Sequence, residues 1–237
     1  MRIIIDDIEI QVTKKNVKNM NLYVKPPDGR VVMSVPNRIS DEKMESFVRK
    51  NLEWIRNRQK YFAQLPPQTV MKYETGDTIY VWGKQYQLQV VYENKKSTLT
   101  LEGNTAIFTV RENSTAEQRE KFVTEWYRSI LKSEIETLLA KWETVTGLHA
   151  DSWQIKKMKT KWGTCNVRTR KLWFSLQLAK LKTECLDYVV LHELLHLEVP
   201  NHGADYAAML DYYMPNWRVI HQQLNEIANQ FLHGKEI

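Results

Sequence analysis

His192 and His196 are the residues whose spacing most directly suggests chemistry. They stand at i and i+4 in His192-Glu193-Leu194-Leu195-His196. A helix would carry both imidazoles on one face, within reach of a single ion. Glu193 follows the first histidine and can hold a water that the ion acidifies. This is the HExxH arrangement of zinc hydrolases, with the carboxylate as general base. A catalytic zinc needs a third protein ligand and an open position. His202 lies six residues past His196, beyond the helix-breaking Pro200. A chain that doubles back at Pro200-Asn201 brings it to the same ion. Metzincins share that spacing with a glycine midway; here the position holds Val199, so the turn differs. Glu198, Asp211 and Glu226 are the rival third ligands. His149, His221 and His233 read as solvent-facing or internally satisfied histidines. Met214 either packs below the metal or fills core.

The expected cofactor is one Zn²⁺, with another divalent metal as the alternative. Three neutral imidazoles would leave the ion its full charge and bring the pKa of its water toward ~7. Glu193 takes that proton, and the attack falls on a carbonyl or a phosphoryl centre. Tyr206, Asn201 and Lys161 are candidate donors to the developing oxyanion. A second segment, Lys159-Thr160-Lys161-Trp162-Gly163-Thr164-Cys165-Asn166, adds candidate substrate contacts. Lys159 and Lys161 suit a carboxylate or phosphate. Trp162-Gly163 suggests a close backbone turn beside a packed aromatic, which reads as substrate contact or as core. Cys165 reads as a buried thiol or a fourth ligand.

The elements that position these residues follow from periodicity. Leu22-Tyr23-Val24 and Val31–Val35 flank a turn at Pro26-Pro27-Asp28-Gly29. Ser40 can cap a helix carrying Met44, Phe47, Val48, Leu52, Trp54 and Ile55, stopped by Pro66-Pro67. Thr78–Trp82 and Tyr86–Val90 flank a turn at Gly83-Lys84, and a second hairpin turns at Glu102-Gly103-Asn104. Ser114-Thr115-Ala116-Glu117 is a capping-box signature for a long helix with Phe122, Trp126, Ile130 and Leu131 on one stripe, continuing through Ile135, Leu138, Leu139 and Trp142. Gly147 suits its end. Two short strands are expected near Trp153–Met158 and Leu172–Leu176. The HExxH helix then runs from about Glu184 to Glu198, and two helices flank Pro215. No internal repeat is visible. The expected fold is α+β: a β-rich region with one helix over 1–113, and a minimal zincin-like hydrolase domain over 114–237.

Composition narrows the setting. The 237 residues are 43% apolar and 26% charged, with 8 Gly and 7 Pro, which excludes a disordered or collagen-like chain. No apolar run approaches the roughly 20 residues that span a bilayer. The acidic Asp6-Asp7 argues against a signal peptide. Two cysteines make no disulfide framework, so a cytoplasmic setting is expected. The net charge is +6, and nine Lys/Arg against one Asp fall in residues 151–182. The basic strip over 156–182 is therefore a candidate for weak nucleic-acid contact, beside a peptide, protein or nucleotide substrate. No membrane partner is expected.

These segments resemble the YgjP-like metallopeptidase-domain family, related to the WLM and SprT-like zincins. The family pattern has a Lys-x-Arg-Trp-Gly-Ser-Cys block, then Tyr-Val-Val-x-His-Glu-Leu-x-His-Leu, then Asn-His-Ser. Here stand Lys159–Cys165, Tyr188–Leu197 and Asn201-His202-Gly203. The likeness extends to Pro27-Asp28-Gly29, Trp54-Ile55, Tyr73–Asp77 and Trp82–Tyr86. It implies His192, His196 and His202 as ligands and Glu193 as base. Lys161 replaces Arg, Thr164 and Gly203 replace Ser, and Tyr206-Ala207 replaces Phe-Trp. These departures leave the ligand set whole and touch the substrate-facing details. The resemblance implies a metallopeptidase, with nucleoside-triphosphate (UTP) pyrophosphate hydrolysis and SprT-like action on DNA-attached proteins as alternatives.

Overall fold

Alternating apolar and polar residues build two separate four-stranded sheets, one in each of two compact units, Met1–Val70 and Met71–Ile237. The structure, a computed structural model, describes residues 1–25, 28–64 and 71–231. Pro26-Pro27, the helix stop expected at Pro66-Pro67, and His233 lie outside the described residues.

In the first unit, β1 (Arg2–Ile5), β2 (Ile8–Lys15), β3 (Asn21–Lys25) and β4 (Arg30–Pro36) form a sheet in the order β1-β2-β4-β3. Two antiparallel hairpins meet through a parallel β2–β4 pair. Ile8, Ile10 and Val12 alternate inward against Met44 and Val48 of α1 (Asp41–Lys50) and Ile55 and Phe62 of α2 (Leu52–Gln64). One helix was expected here. It breaks at Asn51, whose side-chain amide donates to the Phe47 carbonyl at 2.8 Å and competes with the helical ladder. Trp54 is 47% exposed and stands outside the buried stripe.

The second unit opens with β5 (Thr78–Val81), β6 (Lys84–Tyr92), β7 (Thr98–Glu102) and β8 (Thr105–Val110), in the order β5-β6-β8-β7. Its two hairpins again meet through a central parallel pair. The two sheets therefore share one topology, a structural repeat that the residues do not advertise. The turns repeat as well. Asp6 (φ 55) and Trp82 (φ 49) open the first hairpin of each sheet in the left-handed region, and Gly29 (φ 69) and Gly103 (φ 59) turn the second.

The divide at Val70/Met71 differs from the expected one at Asn113-Ser114, because the second sheet packs with the helices that follow it. Trp82 N–H donates to the Ala179 carbonyl at 3.0 Å and Gly83 N–H to the Lys180 carbonyl at 3.2 Å. A Cβ on Gly83 would come within 2.6 Å of Lys182 Cγ. The hairpin turn thus seats on the segment leading into the HExxH helix.

The long helix α3 (Ala116–Thr146) starts at a capping box of Thr115 and Gln118, one residue along from the expected pair, and ends at Gly147 with φ 72. Val123, Tyr127, Leu131, Ile135, Leu138, Leu139 and Trp142 are its buried stripe, while Phe122, Trp126 and Ile130 are half-buried at its margin. A three-stranded sheet follows, β9 (Ser152–Lys156), β10 (Gly163–Asn166) and β11 (Lys171–Ser175), in the order β10-β11-β9. β9 and β11 are the two expected strands; β10 is a third. A 3-10 turn, Leu176–Lys180, leads to α4 (Thr183–Leu195), then α5 (Ala204–Tyr213) and α6 (Trp217–Phe231) on either side of Pro215.

Several long-range bonds from α3 hold this assembly. Tyr127 Oη donates to the Tyr80 carbonyl at 2.7 Å, Arg128 to the Ile155 carbonyl at 2.7 Å, and Trp142 Nε1 to Asp187 on α4 at 2.6 Å. From Cys185 to Leu195 every residue of α4 except Asp187 is buried. The helix has almost no solvated face in that stretch, and His192 and Glu193 are buried within it. The fold is α+β with the HExxH helix at its centre. Among the described residues, no helix is long and apolar enough to cross a membrane.

Candidate metal centre

α4 carries His192 and Glu193 on its last turn and ends at His196. The chain then leaves the helix through overlapping turns, Leu197 N–H to the Leu194 carbonyl and Val199 N–H to the Leu195 carbonyl, both 3.0 Å. Val199 takes the place of the metzincin glycine without a left-handed backbone, since it is absent from the positive-φ residues. Pro200-Asn201 reverse the chain, and His202 arrives just before α5.

The three histidines converge. His192 Nε2 lies 3.3 Å from His196 Nε2 and 3.1 Å from His202 Nε2. One ligand atom from each falls within 4.8 Å of the others. Three ring nitrogens brought to one point can each present a lone pair to a shared cation. A tetrahedral ion with metal–nitrogen bonds of about 2.0–2.1 Å holds its nitrogens about 3.3 Å apart. The donor set and its spacing therefore fit a zinc-sized ion. Burial holds His192 down to about 2, with the neighbouring histidines adding to the effect. Burial also lowers His196 and His202. Burial thus favours in all three the neutral form that a metal ligand needs.

The layer behind the ligands is polar and specific. His196 Nδ1 faces the Val199 carbonyl at 3.1 Å, which only accepts, so Nδ1 carries the proton and Nε2 a lone pair. Tyr188 Oη lies 3.2 Å from His192 Nδ1. Tyr206 Oη donates to the His192 carbonyl at 2.9 Å, and its ring stacks on His196 with centroids 4.8 Å apart. Tyr206 was expected as an oxyanion donor, but its proton is directed at the backbone and its ring is buried.

Glu193 is 4% exposed, and burial pushes its carboxyl up to about 8, against the pull of Lys161. Its other boundary is β10. A Cβ on Gly163 would sit 2.5 Å from Glu193 Oε1 and 2.6 Å from Cγ. Strand and carboxylate touch only because Gly163 has no side chain. Spacing did not find this contact, which joins residues thirty positions apart.

The remaining expected residues divide. Lys161 is exposed, and its charge acts on Glu193, His196 and His202. Lys159 is exposed with no described contact to the cluster. Trp162 is fully buried in the core, which removes it from direct substrate contact. Of the rival ligands, Asp211 pairs with Arg218 and Trp217, Glu226 accepts from Gln222, and Glu198 is exposed outside the cluster. Cys165 is half-buried with its thiol pushed up to about 11, and is not among the converging ligands. His149 pairs with Glu143, and His221 packs at a tilt against Tyr188 and Trp217. Met214 is buried core. In the basic strip, Lys157 pairs with Glu120 and Arg170 with Asp151, while Lys156 and Lys171 lie over the Trp173 ring. A separate cavity of about 890 Å³, lined by Phe108, Arg119 and Phe122 among others, shares no residue with the histidine cluster.

An enclosed helix that brings two histidines and a carboxylate to a third histidine beyond its end defines a metallopeptidase-type domain. The profile of the YgjP-like, metallopeptidase domain matches residues 18–227, and the chain belongs to that family. Two solved structures are similar to part of the chain. The metallopeptidase zymogen of Pyrococcus abyssi abylysin is 16% identical, with a TM-score of 0.38, over 41% of this chain and 98% of that one. The metallopeptidase zymogen of Methanocaldococcus jannaschii jannalysin is 23% identical, with a TM-score of 0.34, over 40% and 88%. No curated protein matches the chain.

Proposed function

We propose that this chain is a zinc-dependent peptidase in which His192, His196 and His202 hold the ion and Glu193 is the general base. The observation that carries the reading is the convergence of the three Nε2 atoms beside a buried carboxylate. When bound, the ion supplies Lewis acidity that activates water and polarises a carbonyl. Its positive charge also opposes the burial that raises Glu193, and so favours the ionised base. Glu193 accepts a proton from the attacking water and returns it to the leaving nitrogen. Lys161 is the positive group placed to attract negative charge on the substrate.

The peptide preference rests on β10. It is the outer strand of its sheet, and its Gly163 touches the base. An extended peptide can add to such an edge through main-chain hydrogen bonds, which delivers a carbonyl beside Glu193. The competing phosphoryl reading draws on Lys161 and the neighbouring lysines. The two free thiols, Cys165 and Cys185, accord with a reducing, cytoplasmic setting.

Metal-analysed wild type and Glu193→Gln, each offered an unstructured protein and a panel of nucleoside triphosphates, separate these readings. Peptide release by the wild type, lost in the variant with its metal retained, is the expected result. Pyrophosphate release lost in the variant, with no peptide cleavage, overturns the peptidase reading.

A further inference from the structure

Tyr188 lies one helical turn before His192 on α4, and both side chains are buried. Its hydroxyl is 3.2 Å from His192 Nδ1, and its ring is tilted against the imidazole with centroids 5.5 Å apart. Trp217 of α6 stacks parallel to Tyr188 at 6.4 Å, with the planes 4° apart, and so restrains the phenol ring. The other two site histidines differ in their outer partners. His196 has a carbonyl, which fixes its tautomer outright. His202 is exposed; its described hydrogen bond is to His192, and its ring meets those of His196 and Tyr206 edge-on.

A phenol hydroxyl both donates and accepts, which a carbonyl does not. With the centre empty, the Nε2 of His192 can donate a proton toward His202 or His196, and Nδ1 then accepts from Tyr188. With a cation at the three nitrogens, Nε2 must present its lone pair. The ring proton then belongs on Nδ1, and the same hydroxyl must accept it. We infer that Tyr188 is the positioning residue for His192: its buried hydroxyl accepts a hydrogen bond from Nδ1–H when Nε2 turns to the metal, and so sets ligand tautomer and affinity. This rests on the metal-site reading above. The outer partner of a ligating histidine typically governs metal affinity by about 10–100-fold.

The test compares wild type, Tyr188→Phe and Tyr206→Phe. Zinc affinity is measured by chelator competition, and long-range ¹H–¹⁵N spectra of the zinc-loaded proteins report the His192 tautomer. The expected result is one zinc per wild-type chain with His192 protonated at Nδ1. Tyr188→Phe then loses affinity by about 10–100-fold, while Tyr206→Phe, which frees only a backbone carbonyl, loses clearly less. Wild-type affinity in Tyr188→Phe overturns the proposal and leaves the metal site standing. Equal losses in both variants show a packing defect and overturn it too. Wild-type protein that binds no zinc overturns the metal site and this proposal together. If Tyr188→Phe does not fold, the zinc-loaded wild type still decides: a His192 protonated at Nε2 sinks the assignment, and one protonated at Nδ1 supports it.

Discussion

Replacing Gly163 with alanine should cripple the chemistry while sparing the metal. The added Cβ would stand 2.5 Å from Glu193 Oε1, 2.6 Å from Cγ and 2.8 Å from Cδ. Ordinary contacts begin near 3.4 Å, so about 0.9 Å must be recovered. α4 is enclosed from Cys185 to Leu195 and cannot yield easily. β10 is paired to β11 from Gly163–Phe174 to Asn166–Lys171, so its retreat strains that ladder. The carboxylate is the soft member and takes most of the shift. Misplacing a catalytic group by about 1 Å costs about 10²-fold in rate, or about 2.7 kcal/mol on the barrier. The three atoms nearest that Cβ all belong to Glu193, so the clash falls on the carboxylate first and zinc stoichiometry should hold. The assay is kcat and KM on an unstructured protein, beside metal analysis. A Gly163→Ala enzyme within threefold of wild type in kcat would refute the reasoning, as would a loss of zinc equal to the loss of activity.

Three further outcomes follow from the structure. Stripping the metal with a chelator should lower the melting temperature, because the ion binds the folded site and not the unfolded chain; at an ion concentration 1,000 times Kd the difference is about 4 kcal/mol, and identical melting with and without zinc counts against a folded-state site. Asp187→Ala removes the acceptor of the Trp142 indole and the partner of Lys141, so a loss of about 1–3 kcal/mol is expected in denaturant titration, and an unchanged midpoint argues against the tie between α3 and α4. Burial lifts the thiols of Cys165 and Cys185 to about 11; since the thiolate is the reactive form, alkylation should be slow at pH 7.5 and rise about tenfold per pH unit toward that value, which mass spectrometry of alkylated protein checks.

The convergence of the three histidines was legible because it is nearly local. An i, i+4 histidine pair needs only a helix, and His202 needs only one reversal at Pro200-Asn201. The third strand of the small sheet was not legible. Gly163-Thr164-Cys165-Asn166 is short, begins with glycine and sits in a basic run, and it becomes a strand through pairing with Leu172 and Phe174 of β11. The helix break at Asn51 was missed because the apolar spacing continues across it to Ile55. The shared topology of the two four-stranded sheets left no trace in residue identity. Alternation can be satisfied by Ile, Val, Met or Phe alike, so two sheets with the same strand order need share no residues.

The same contrast explains why chemistry and support had such different visibility here. Histidine and glutamate on a helix as apolar as α4 are expensive to bury, and that cost makes them conspicuous. The groups that make the burial tolerable are inconspicuous residue types: a glycine beside Glu193, a tyrosine on the ring of His192, another on its carbonyl. Each becomes meaningful only when strands and helices distant in sequence meet. Tyr206 shows the consequence. Its residue type and nearness to His202 suggested a catalytic donor, but a hydroxyl has one proton, and here the His192 carbonyl holds it. Lys161 is the opposite case: it is exposed, and its charge is felt at Glu193, His196 and His202. In this site, burial assigns a polar side chain to architecture unless it faces the convergence point, and an exposed side chain such as Lys161 carries no such assignment.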